Sequence, residues 1–253
     1  MFQKISYSAD SGVARITLNR PDKRNALDSE LVGELHEAVR LSAADANVRA
    51  VLLMGAGKDF CSGADLASIK RVAESGVLEN LADARAMADL FTALRHHPRP
   101  VIAAVRGRAL AGGCGLATAC DIVLASESAQ FGYPEVNIGF VPAMVMAILR
   151  RSMSEKAAFE LVATGAIIPA TRAREVGIVQ RVFPDDRFDE EVESYVSAVA
   201  ARPPAALSLT KALLYQMDGL DFAASLDAGV QGNAIARMTD DFRQGVRRFL
   251  EKR

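Results

Sequence analysis

The run from Arg108 to Pro142, RALAGGCGLATACDIVLASESAQFGYPEVNIGFVP, constrains this chain more than any other part of it. A glycine-dense turn leads into an apolar helix, Gly113 to Ala119. A short β segment follows, and then a lone carboxylate, Glu135, among Phe131, Val136, Ile138, Phe140 and Val141. Glycines ahead of a helix leave backbone N–H groups exposed at the positive end of its dipole, where they can hold a developing oxyanion. A carboxylate in apolar surroundings has a raised pKa and can move a proton near neutral pH. The pairing suggests enolate chemistry on a carbonyl compound.

The rest of the chain alternates β-prone and helical segments for about 180 residues and is helical afterwards. Ile5 to Ser8 and Val13 to Leu18 read as a hairpin around Ala9-Asp10-Ser11-Gly12. Asp28 is placed to cap a helix with the stripe Leu31, Leu35, Val39 and Ala43. Val51 to Met54 is a buried strand, followed by Gly55 to Leu66, where small residues let backbone approach a ligand. Helices are expected over 66–74 and 81–95, the second with Ala84, Met87, Ala88, Phe91 and Leu94 on one side. Strands are expected over 101–105, 121–125 and 129–132. After Pro142, helices are expected at 143–150, 155–163 and 171–175, a last strand at 179–182, then helices over 189–201, 205–216, 222–236 and 240–252. No repeat of fixed period and no Pro/Ser/Gly linker is visible, so residues 1–253 read as one domain.

Charge and cysteine usage narrow the class. A net charge of −1 points to no nucleic acid or anionic membrane partner, and no apolar run approaches a membrane span. The N-terminus lacks a secretory or transit pattern, and Cys61, Cys114 and Cys120 show no paired spacing, so a cytoplasmic protein with small core thiols is expected. Three histidines without a Cys/His cluster argue against a metal site, and His96-His97 read as solvated helix-end residues. Gly57-Lys58 fails the phosphate-loop spacing and Gly112 to Gly115 fails the dinucleotide spacing. Ser62 lies outside any GxSxG setting.

Five pieces occur in order over nearly the whole chain: PDKRNAL (21–27), FCSGADL (60–66), LAGGCGLATACDI, FGYPEVNIGFVP and the C-terminal FLEKR. With them the chain resembles the crotonase superfamily, the enoyl-CoA hydratases and isomerases. The resemblance implies an α/β fold, a crotonase-like spiral of ββα units over 1–200, and a helical trimerisation region over 201–253. It implies an acyl-CoA thioester substrate, no cofactor beyond the CoA that the substrate carries, and homotrimers that commonly pair into hexamers. It places the oxyanion donors at the N–H groups of Ala64 and Gly112 and the acid/base at Glu135.

The resemblance also places CoA contacts at Lys23, Arg24 and Ala26 in the first motif, at Ala64, Asp65 and Leu66, and at Phe249 and Lys252 on the last helix. Asp65 reads as structural or as a pocket residue, Asp121 as a residue that orients backbone, and Leu66, Ile69, Phe140 and Met144 as candidates for the acyl end. One departure stands out. Hydratases of the family carry a first glutamate three residues beyond the oxyanion glycine, and here that position is Gly115. Isomerases use the second glutamate alone, which matches Glu135. By helix propensity and dipole, Gly115→Glu is expected to be tolerated and to favour hydration. Decarboxylation and thioester hydrolysis need other polar residues near Gly115 or Glu135. An RNA-binding or scaffolding role lacks a basic, aromatic-rich run.

Overall fold

The computed structural model describes residues 2–251. Strands β1 (Ile5–Asp10) and β2 (Val13–Leu18) form the expected hairpin. It closes on Ser11-Gly12 alone, both at positive φ. The chain continues through α1 (Ser29–Ala44), β3 (Ala50–Gly55), α2 (Leu66–Glu74), α3 (Val77–His96), β4 (Val101–Val105), β5 (Arg108–Leu110), α4 (Gly112–Ala119), β6 (Ile122–Ser126) and β7 (Gln130–Gly132). A 3-10 turn, Pro134–Ile138, leads to α5 (Met146–Ser152), α6 (Glu155–Thr164), β8 (Ile167–Pro169), α7 (Ala170–Glu175), β9 (Arg181–Phe183) and α8 (Phe188–Ala200). Three helices close the sequence: α9 (Pro204–Gln216), α10 (Phe222–Met238) and α11 (Asp240–Glu251).

Two sheets stack along this path. The larger has the order β1-β2-β3-β4-β6-β9 and is parallel from β2 onward. The smaller has the order β5-β7-β8, and the bridges Cys61↔Ala109 and Leu27↔Ala64 carry its pairing back along the chain. Each turn therefore lays one strand in the first sheet and one short segment in the second before a helix returns it. That is the expected ββα spiral. Parallel neighbours need such crossovers, and the spiral supplies them.

The apolar runs in β3 and β4 have a direct cause. Val51, Leu53, Val101, Ala103 and Val105 face the spiral core, while Leu52, Ile102 and Ala104 face Phe188, Val192 and Val196 of α8. Both faces are covered, so alternation disappears. In α1 the buried stripe is Leu31, Leu35, Ala38, Val39 and Ser42, and Ala43 is exposed. In α3, Leu90 joins Phe91 and Leu94 in the core, and Ala84 is exposed.

Several boundaries differ from the sequence expectation. β5 and β8 have only three residues each, too few to show a period. The helix after Pro142 begins at Met146, and the last strand begins at Arg181. His97 is buried, not solvated. Its Nε2 lies 3.1 Å from Ser42 Oγ, its Nδ1 accepts from Arg99 N–H, and burial pushes its pKa down to about 4.

Asp121 does orient backbone, accepting from Val101 N–H at 2.6 Å. It also receives Lys211 Nζ at 2.7 Å and Tyr215 OH at 2.6 Å, which ties α9 to the end of α4. Beyond α9 the helices keep their apolar side chains outward: Phe222, Leu226, Val230, Met238 and Phe249 are exposed. Among the described residues no helix is long and apolar enough to cross a membrane.

Candidate active site

The segment Cys61–Asp65 and the turn Leu110–Gly112 lie side by side. Cys61 N–H donates to Arg108 O and Leu110 N–H to Cys61 O, so the two run as a parallel pair. Their approach is close enough to require glycine. A Cβ on Gly113 would sit 2.4 Å from Cys61 O, and one on Gly63, at φ 93°, would sit 2.8 Å from Ala111 Cβ.

The pairing also decides where two N–H groups point. Leu27 donates to Gly63 O at 2.7 Å and accepts from Asp65 N–H at 2.8 Å. In a parallel ladder the residue between those partners, Ala64, turns its own N–H to the opposite side. Gly112 is the first residue of α4, so its N–H has no partner within the helix. Among the described residues neither Ala64 N–H nor Gly112 N–H makes a hydrogen bond. Ala111, between β5 and α4, takes φ 49° and ψ −127°, a region that L residues rarely enter. Such strain typically costs about 1–3 kcal/mol and collects at functional sites.

Glu135 enters from β7. Ala111 N–H donates to Gly132 O at 2.8 Å, which brings the 3-10 turn holding Glu135 against the start of α4. The carboxylate is half-buried, and its Oε2 is buried without a hydrogen-bond partner. Desolvation raises its pKa above the ordinary carboxylate value, partly opposed by its own backbone N–H. The cause of this burial differs from the expected one. Of the five apolar neighbours in sequence only Phe131 is buried; Val136, Ile138, Phe140 and Val141 are exposed. The groups that sense Glu135 are Cys114 and Tyr133, both fully buried.

Gly115 is packed, contrary to the expectation that a side chain would be tolerated there. A Cβ at this position would meet Val145 Cγ1 at 2.6 Å and Phe91 Cζ at 2.9 Å. Leu27 and Met87 line the neighbouring wall beside Gly112. These four apolar side chains come from three distant stretches, and of them the sequence singled out only Met87 and Phe91, as members of a helix stripe. Leu66, Ile69 and Phe140 are exposed.

The expected CoA residues divide. Lys23 and Arg24 are exposed in the turn after Pro21, and Arg24 O accepts from Ser62 N–H, so this loop borders the Ala64 segment. Ala26 is buried, with its N–H donated to Lys23 O and its carbonyl accepting from Arg20. Asp65 caps α2 through Ala67 N–H and pairs with Arg20 at 2.9 Å. The Ala67 N–H, with the Arg20 guanidinium, holds its carboxyl below the usual range against partial burial. Phe249 lies on α11, which packs on α9 and α10. Lys252 lies outside the described residues.

Residues matching the hydratase/isomerase pattern thus converge from four stretches of chain, and comparison with known proteins decides the family. A sequence profile described as enoyl-CoA hydratase/isomerase matches residues 8–253. The chain belongs to the enoyl-CoA hydratase/isomerase family. A Thermus thermophilus relative that carries a provisional enoyl-CoA hydratase name is 43% identical over 95% of both chains. The 2,3-dehydroadipyl-CoA hydratase of Escherichia coli is 35% identical over 99% of this chain and 96% of its own. The crystal structure of an enoyl-CoA hydratase from Mycobacterium smegmatis superimposes with a TM-score of 0.95 at 35% identity, covering 99% of this chain and 97% of that one.

Sequence reasoning missed Arg20 and Asn25 in this family member. Arg20 bridges Asp65 at 2.9 Å and Asp28 at 3.0 Å, the caps of α2 and α1. Asn25, fully buried at φ 54°, donates to Ala56 O and Asp59 O. The left-handed preference of Asn was the available signal. Arg20→Met is expected to cost about 2 kcal/mol by removing charged hydrogen bonds. Arg20→Lys should recover only part of that, since an ammonium lacks the fork that reaches both carboxylates. Denaturant titration of the two variants checks the order; equal stability of Arg20→Met and the parent would remove Arg20 from the site's framework.

Proposed function

We propose that this family member moves a proton on an unsaturated acyl-CoA through a thioester enolate, and that its preferred reaction carries a 3,4 double bond into conjugation. The N–H groups of Ala64 and Gly112 receive the thioester oxygen as its charge grows; one such donor is typically worth about 3 kcal/mol. Glu135 takes the proton from C2, and the C–H electrons pass into the dienolate. The same carboxyl then returns the proton at C4, so no proton is gained or lost overall. The reading calls for no cofactor besides the CoA of the substrate.

The observation that carries isomerisation is the packing at Gly115. Val145 and Phe91 carbons crowd the position where a side chain of residue 115 would begin, and glycine there offers an attacking water no carboxylate to bind. Hydration is the second reading, favoured by the hydratase names of the relatives. Incubation with 3-hexenoyl-CoA and, separately, crotonyl-CoA separates them by ultraviolet absorbance and product mass. Faster gain of the conjugated thioester from the first is expected. Faster loss from the second would establish the hydratase instead, and an inert enzyme on both would end the acyl-CoA reading.

We further propose a homotrimer or homohexamer built on the outward apolar faces of α10 and α11, as the family resemblance implies. Light scattering at micromolar concentration is expected to give three or six chain masses; a monomer would rule this out.

A further inference from the structure

We propose that Tyr133 is a positioning residue, one that fixes Glu135 relative to the first turn of α4 through a hydroxyl relay with Thr118. The inference rests on the Glu135 reading above. Tyr133 has no solvent exposure, and its hydroxyl lies 3.0 Å from Thr118 Oγ1. The direction of that bond follows from the other neighbours of Thr118. Its oxygen is 3.0 Å from Cys114 O and 3.1 Å from Gly115 O, both acceptors only. The single Thr118 proton therefore goes to a carbonyl, and the Tyr133 O–H donates to Thr118.

The relay joins two parts of the site. Thr118 bonds back to the carbonyls of the first turn of α4, whose leading N–H is that of Gly112. Tyr133 is separated from Glu135 by Pro134 alone, and proline fixes its own φ. The turn is held again by Phe140 N–H donating to Glu135 O at 3.0 Å. The carboxylate itself has no partner on Oε2, so nothing bonded to that oxygen fixes its aim. Its position is set by this short stiff arm, and the arm is pinned by the phenol. Orientation of this kind matters to rate, because a misplacement of about 1 Å can cost about a hundredfold.

The test uses turnover of 3-hexenoyl-CoA by the whole enzyme, with KM measured beside kcat. Tyr133→Phe removes only the hydroxyl. It is expected to lower kcat about tenfold with KM within about twofold, since the oxyanion donors and CoA contacts are untouched. Thr118→Val should match it, Thr118→Ser should stay near the parent because the relay oxygen remains, and the double variant should be no slower than either single. A kcat within about twofold of the parent in Tyr133→Phe, or Thr118→Ser as slow as Thr118→Val, overturns the proposal. If Tyr133→Phe does not fold, the Thr118 pair decides alone. Glu135→Gln separates the two readings. An inactive Glu135→Gln with a normal Tyr133→Phe sinks the positioning role only, whereas an active Glu135→Gln sinks the acid/base reading on which it rests.

Discussion

Glu135→Gln is expected to lower turnover by at least about a hundredfold, the scale of a general acid/base, while KM for the acyl-CoA stays within about threefold. The amide keeps the shape of the side chain but cannot carry the proton between C2 and C4. The pH profile of the parent should show the same group. Desolvation raises the Glu135 pKa, so the activity that depends on its ionised form should rise with pH through a midpoint above the ordinary carboxylate range. Stability should move the other way. A carboxyl whose folded pKa exceeds its unfolded value binds its proton more tightly when folded, so ionisation costs stability as pH rises between the two values. Glu135→Gln should therefore melt higher than the parent at neutral pH, with the gap closing in acid below both values. A variant with parental turnover would take Glu135 out of the mechanism, and a gap that widens in acid would contradict its desolvation.

Gly115→Glu is expected to destabilise the fold by at least about 3 kcal/mol, combining overpacking with burial of a charge. Its Cβ alone would penetrate Val145 and Phe91. Both side chains belong to the buried core, where a shift of either one displaces its neighbours. Val145→Ala should recover part of the loss, since it removes the nearer obstacle, whereas a remote substitution should not. Thermal melting of the single and double variants measures this. Hydration on crotonyl-CoA is expected to appear only in the double variant, if the new carboxylate then reaches a water. A single variant as stable as the parent would mean that the packing at Gly115 yields easily, and the structural case for isomerisation would weaken with it.

The two readings of Gly115 show how sequence and structure divide the problem. Local rules favour glutamate over glycine near a helix start. They fail because the atoms that exclude a side chain belong to α3 and to the residue before α5, about 24 residues before and 30 after in the chain.

What the sequence determined by itself was whatever short-range chemistry writes. The Ser11-Gly12 hairpin, the Asp28 cap, the apolar β3 and β4 and the glycine turn before α4 depend on neighbours within a few residues. The family motifs marked Ala64, Gly112 and Glu135 as well. Tertiary structure decided the rest, because it joins groups with no spacing to read. Arg20 meets Asp65, His97 meets Ser42, and Tyr133 meets Thr118 only once the spiral has wound. The free N–H of Ala64 is such a case too: its direction is set by a ladder with Leu27, 37 positions earlier. A parallel pair needs a crossover, so its partners are necessarily remote, and hydrophobic period cannot name them.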